Sequence, residues 1–234
     1  SADADRPSLT IKASSRLMQY SLQLFDADFG RFWREADNNA LAALSRFVKA
    51  EMPDTGYERL LGTGYSLAAV GSWEIAYQFF TLAVTYEQKT VPRHEALYFR
   101  ALARRNASDS VTAMAVKLSL KDLEAALTEK RRIRGTDYVD PRYYCEIGIM
   151  LGFAHRMELN DVPAFLGTPD PEVVWRSALA VVVDDDTLRV QLLNNIVYHL
   201  YSQMRPRPGK ALRRAFKELL DAAAKVGPER ITYN

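Results

Sequence analysis

The chain has 234 residues, 48% apolar and 26% charged, with a formal net charge of +2. These are globular proportions that exclude disorder, collagen and a cysteine framework, and the charge is too balanced to call for nucleic acid or an anionic membrane. Eleven Gly and ten Pro are few for a β-protein of many tight turns, and no apolar run approaches the ~20 residues needed to cross a bilayer.

Apolar residues recur with a period of about 3.6 almost throughout, which predicts helices. Leu17, Met18, Leu22 and Phe25 mark one helix face, and a second helix is expected from Phe29 to Ala50, ended by Met52-Pro53-Asp54. Thr55 and Glu58 have capping-box spacing, in which each side chain satisfies a free backbone N–H. The face Leu60, Leu61, Gly64, Leu67 and Ala68 follows. Gly71 can take φ > 0 and stops that helix, and Ser72 suits the cap of the next. Ala76, Phe79, Phe80, Ala83 and Val84 then form an i, i+3, i+4, i+7, i+8 stripe.

Pro92 fits a first helical turn, ahead of Leu97, Ala101 and Leu102, and this helix fades near Asn106 to Ser110. A long helix is expected from Val111 to Arg134, closed by Gly135. Asp140-Pro141 supplies a cap and first-turn pair for Tyr143 to Met157, and Asp170-Pro171 repeats it ahead of Val173, Val174, Trp175, Ala178 and Leu179. Val181-Val182-Val183 has strand composition, but it follows a helical stretch and meets Asp184-Asp185-Asp186, so a helix end and the next cap are expected. Leu192, Leu193, Ile196, Val197, Leu200 and Tyr201 form a broad buried face, and Lys210 to Val226 is the last helix before Gly227-Pro228. The fold class is all-α.

Chemistry-bearing motifs are sparse. Cys145 is the only cysteine, so neither an intrachain disulfide nor a Cys-based zinc cage is possible, and one thiol leans to a reducing, cytoplasmic address. His94, His155 and His199 are not spaced as helical metal pairs. The Asp184–Asp186 run reads as a helix cap, where negative charge is favoured. No cofactor or metal is expected. The chain starts without Met and ends at Asn234 without a recognisable tail. It is read as a piece of a longer protein, although a removed leader leaves a similar start.

The 34-residue window Tyr57 to Thr90 has a helix–turn–helix pattern that resembles a tetratricopeptide repeat. Gly64 stands where two helices approach, Gly71 in the turn, Trp73 after it, and Ala76, Phe80 and Ala83 form the small–large–small triplet of the second helix. Leu60, Thr63, Leu67 and Gln88 depart from the family's usual Trp, Leu, Tyr and Pro. Looser matches follow: Ala101 with Leu123, Ala126 and Leu127; Gly148 with Trp175, Ala178 and Leu179 across an insertion holding Pro163, Gly167 and Pro169; and Leu193 to Tyr201 with Ala215, Leu219 and Ala222. The expected organisation is an N-terminal helical pair over residues 1–54 capping the array, tetratricopeptide-like stacked antiparallel helix pairs (an α-solenoid) over 55–226, and a tail at 227–234.

The resemblance implies a non-enzymatic scaffold or adaptor that binds a protein or peptide in a concave groove. Groove positions carried over from the family are Tyr65, Ala69, Tyr98, Arg105, Cys145, Asn195 and His199. Where the family's clamp for C-terminal carboxylates uses Lys and Asn, this chain has Leu61, Tyr65, Tyr98 and Leu102, which favours apolar or aromatic recognition. A basic patch of Arg205, Arg207, Lys210, Arg213 and Arg214 keeps open a regulatory domain that binds a small peptide or nucleic acid. An all-α enzyme whose site is assembled from distant residues is the other alternative.

Overall fold

The computed structural model describes residues 45–46, 48–50, 54–86, 92–107, 110–203 and 209–226. The described residues are helical, with no strand among them and only an isolated bridge between Phe165 and Thr168. The chain forms two compact units, Ser1–Ser110 and Val111–Asn234, divided within the segment expected to separate Ala101 from its partners Leu123 and Ala126. The expected helix at 17–25, most of Phe29 to Ala50 and the tail at 227–234 lie outside the described residues.

In the first unit, α1 spans Gly56–Ala69, α2 Trp73–Thr85 and α3 His94–Asn106. The start of α1 is where the sequence puts it, but the capping box does not form. Thr55 sits at φ −118°, ψ −5° and its side chain accepts no cap hydrogen bond, because a capping residue needs extended backbone to bring its oxygen over the free N–H groups. Ser72 likewise makes no side-chain cap bond. Backbone closes the turn instead. Gly71 takes φ +77°, its N–H donates to the Ala68 carbonyl at 3.0 Å, and the Ser72 N–H donates to Leu67 at 2.9 Å. This is the Schellman arrangement that glycine permits.

The contacts of α1 with α2 run in opposite directions along the two helices. Gly56 faces Tyr86 and Gly64 faces Phe80, so the pair is antiparallel. The fit depends on missing atoms, since a Cβ on Gly64 would lie 2.5 Å from the Phe80 ring. Ala76 and Ala83 are fully buried beside it. The α2–α3 pair is antiparallel too: Arg93 Nη1 donates to the Val84 carbonyl at one end, Phe80 meets Phe99 in the middle, and Arg104 lies over Tyr77 at the other. Pro92 precedes the helix rather than opening it; its carbonyl accepts from the Tyr57 hydroxyl at 2.9 Å. Val48 is fully buried in the same core.

In the second unit, α4 spans Ala113–Arg134, α5 Pro141–Arg156, α6 Pro171–Leu179, α7 Asp186–Ser202 and α8 Lys210–Ala223. Here side-chain caps dominate. Thr112 accepts from Ala115 N–H, Asp140 from Arg142 and Tyr143 N–H, Asp170 from Glu172 N–H and Asp185 from Leu188 N–H. The valine run is a turn and the aspartate run a cap, as the sequence implies.

Asp140 also anchors the α4–α5 corner through a 2.6 Å ion pair with buried Lys130. Trp175 of α6 lies directly on Gly148 of α5, where an added Cβ would come within 2.4 Å of the Trp175 ring carbon Cε2. The Trp175 indole N–H donates to the Cys145 carbonyl at 3.0 Å. Along α5 and α7, Cys145 meets Asn195 and His155 meets Gln203. That near-constant offset makes the two helices parallel, each followed by a packed partner: α5 by α6, and α7 by α8. Val190 and Leu193 of α7 cluster with Ala222 and Val226 at the far end.

Candidate functional site

The expected groove positions divide between the two units. In the first, Tyr65 rises from the middle of α1, four residues after buried Leu61, and reaches across to α3. Its hydroxyl donates to Glu95 Oε2 at 2.9 Å, and its ring meets Phe99 edge-on at 4.5 Å and Phe80 at 5.8 Å. The ring is thereby fixed in direction. With Ala68, Ala69, Trp73 and Phe99 it lines an open apolar hollow of about 430 Å³.

Two expected groove residues, Tyr65 and Ala69, belong to this hollow. Tyr98 is half-buried and packs T-shaped on Phe99 at 4.9 Å, but it does not line the hollow. Arg105 is half-buried near the end of α3 and takes no part in the hollow. Trp73 and Phe99 were not among the expected site residues. Trp73 read only as a marker of the repeat turn, and Phe99 was hidden beside Tyr98 in a helix whose period was traced through smaller residues.

In the second unit, Cys145, Asn195 and His199 are brought together on the α5–α7 seam, but they do not form an open surface. Cys145 is 5% exposed and His199 4%. The half-buried Asn195 directs its amide N–H at Cys145 Sγ, 3.6 Å away. The His199 ring sits 5.9 Å from Trp175 and 5.6 Å from His155. The amide nitrogen of Gln203 lies 2.7 Å from His199 Nε2 and 3.5 Å from His155 Nε2.

Burial pushes the His199 pKa below its ordinary value. His155 and Arg156 push the same way, while Asp170 and Glu172 oppose them. His199 is therefore a neutral imidazole at pH 7, able to accept from the Gln203 amide. His155 and Gln203 complete a cluster that sequence reading missed. The i, i+4 spacing of His199 and Gln203 was its only trace.

Of the basic patch, Lys210, Arg213 and Arg214 are exposed on α8, and Arg205 and Arg207 lie outside the described residues. Among the described residues no group of three or more His, Cys, Asp and Glu side chains converges as metal ligands. No described helix is long and apolar enough to cross a membrane. Comparisons with family models, with curated proteins and with solved structures returned no match.

Proposed function

We propose that the chain is a non-enzymatic protein-interaction module, a tetratricopeptide-like array that receives an apolar or aromatic side chain of a peptide or partner protein on its first unit. The observation carrying this reading is the hollow between α1 and α3, lined by Tyr65, Ala69, Trp73 and Phe99. In the family that the chain resembles, the exposed side of a pair's first helix, the place of Tyr65 and Ala69 on α1, lines the ligand groove.

The chemistry of the hollow favours a side chain over a charged small molecule. Its lining residues are apolar or aromatic, and the one hydroxyl among them is engaged by Glu95. Fixed aromatic rings give large contact area at low entropic cost. A photo-crosslinking amino acid at Ala69, which is exposed at the rim, tests the assignment in cells that produce the protein. The expected product is one discrete crosslinked partner, absent when the crosslinker is at exposed Arg59 and absent when the hollow is filled by Ala68→Phe. Equal products from positions 69 and 59 would refute it.

A further inference from the structure

The last helix carries more apolar surface than its own unit uses. In α8, Ala215 and Ala222 are fully or nearly fully buried, and Ala222 joins Val190, Leu193 and Val226 in the core. Phe216 follows Ala215 by one residue, so it points about 100° away from that contact, and Leu220 lies one turn further along the same side. Both overhang the core edge, 50% and 56% exposed. Leu212 and Leu219 are half-buried between the two faces. The apolar arc therefore continues past the packing edge without a break.

The charges beside this overhang are of one sign. Arg213 stands three residues before Phe216 and Lys217 three before Leu220, spacings that put each cation next to an apolar side chain. Lys210 extends the row by another turn. None of these three forms an ion pair with another described residue. Of the helix's acidic residues, Glu218 lies on the far side of α8, and Asp221 stands one turn after Lys217, between the cations and that side. Glu218 is engaged by Arg176 at 3.3 Å and Arg214 at 3.8 Å, and Asp221 lines the cleft toward α6.

We infer that Phe216 and Leu220, with Arg213, Lys217 and Lys210, form a docking ridge for an amphipathic helix of a partner protein that carries Asp or Glu beside its apolar stripe. An i, i+4 pair of large apolar side chains is the ridge that a second helix packs against. A row of free cations selects an acidic flank and suppresses a basic one. Two overhanging side chains are too few to seat the helix in a lipid surface, where a whole apolar face must be immersed. Nucleic acid would find the cations interrupted by apolar groups.

The probe is a fluorescent 18-residue helical peptide with Leu at i, i+3, i+4 and i+7 and Glu on the flanks. Its controls are a scrambled peptide of the same composition and a version with Lys for Glu. Anisotropy should show the first binding at least tenfold more tightly than either control, with affinity falling as salt rises. Phe216→Ser/Leu220→Ser and Arg213→Glu/Lys217→Glu should each cost at least tenfold. The second pair leaves the apolar side chains in place, and unfolding curves confirm that both variants fold. Equal binding of the scrambled peptide, indifference to either double variant, or tighter capture by phosphatidylserine vesicles or single-stranded DNA than by the acidic peptide would overturn the proposal.

Discussion

Replacing Gly64 by Ala should destabilise the first unit, whereas the same change two residues earlier should stabilise it. Both glycines lie inside α1, where Ala is better than Gly by about 1 kcal/mol in helix propensity. At Gly62 nothing lies within 4 Å of the new methyl, so that gain should be realised in full. At Gly64 the methyl would sit 2.5 Å from Phe80 Cε1 and 2.8 Å from Cδ1 and Cζ. The ring has little room to retreat, because it is fully buried and packs against both Tyr65 and Phe99, which also meet each other. Overpacking of this kind costs about 1–3 kcal/mol, and a rigid ring with three such contacts belongs at the upper end, leaving a net loss of about 2 kcal/mol. Urea unfolding followed by helical circular dichroism should move the midpoint up for Gly62→Ala and down for Gly64→Ala. Pairing Gly64→Ala with Phe80→Leu should recover part of the loss relative to the sum of the single changes. If Gly64→Ala raised the midpoint as Gly62→Ala does, the close α1–α2 contact would be wrong.

Asp140→Ala removes both the α5 cap and the partner of buried Lys130, and should cost about 3 kcal/mol in urea unfolding. The Tyr143 ring, 4.6 Å from the Lys130 ammonium, keeps that figure at the low end. Asp140→Asn retains the cap oxygen and should lose less. Glu158 ends α5 at φ +54°, with the Leu159 N–H donating to Ala154. Glu158→Gly should relieve this left-handed strain and raise the melting temperature, by about 0.5–1 kcal/mol of added stability. His199 has a folded pKa below its unfolded value of 6.5, so its neutral burial costs nothing above that pH. Stability should fall once pH drops below about 6.5, where the unfolded chain takes up the proton first. His199→Gln should flatten the unfolding midpoint between pH 7.5 and 5.5.

Helix positions were legible because their signals are local. Apolar period, the aspartate caps and Gly135 fix where most helices start and stop, and the small residues Gly64 and Gly148 announce where a second helix must come close. The capping box at Thr55 and Glu58 failed because spacing alone does not set the backbone angles that aim a side chain at a free N–H. The site was legible only in part. Tyr65 and Ala69 follow from their positions on α1, but Trp73 and Phe99 join them through a hairpin and a neighbouring helix, which no local pattern records. His155 reaches His199 across the parallel α5–α7 seam for the same reason, whereas Gln203 lies one turn beyond His199 on its own helix. The overhang of Phe216 and Leu220 was invisible because an apolar period does not reveal how much of a helix face its neighbours cover.

In the proposed function, the hollow between α1 and α3 receives an apolar side chain of the partner. Peptides selected from a random display library against the intact chain test it most directly, by competition and by affinity for a variant with the hollow blocked. The selected peptides should share a large apolar or aromatic anchor and bind at least tenfold more weakly to Ala69→Glu, a substitution at an exposed rim position that leaves the core untouched. Selected peptides that bind wild type and Ala69→Glu equally would contradict it.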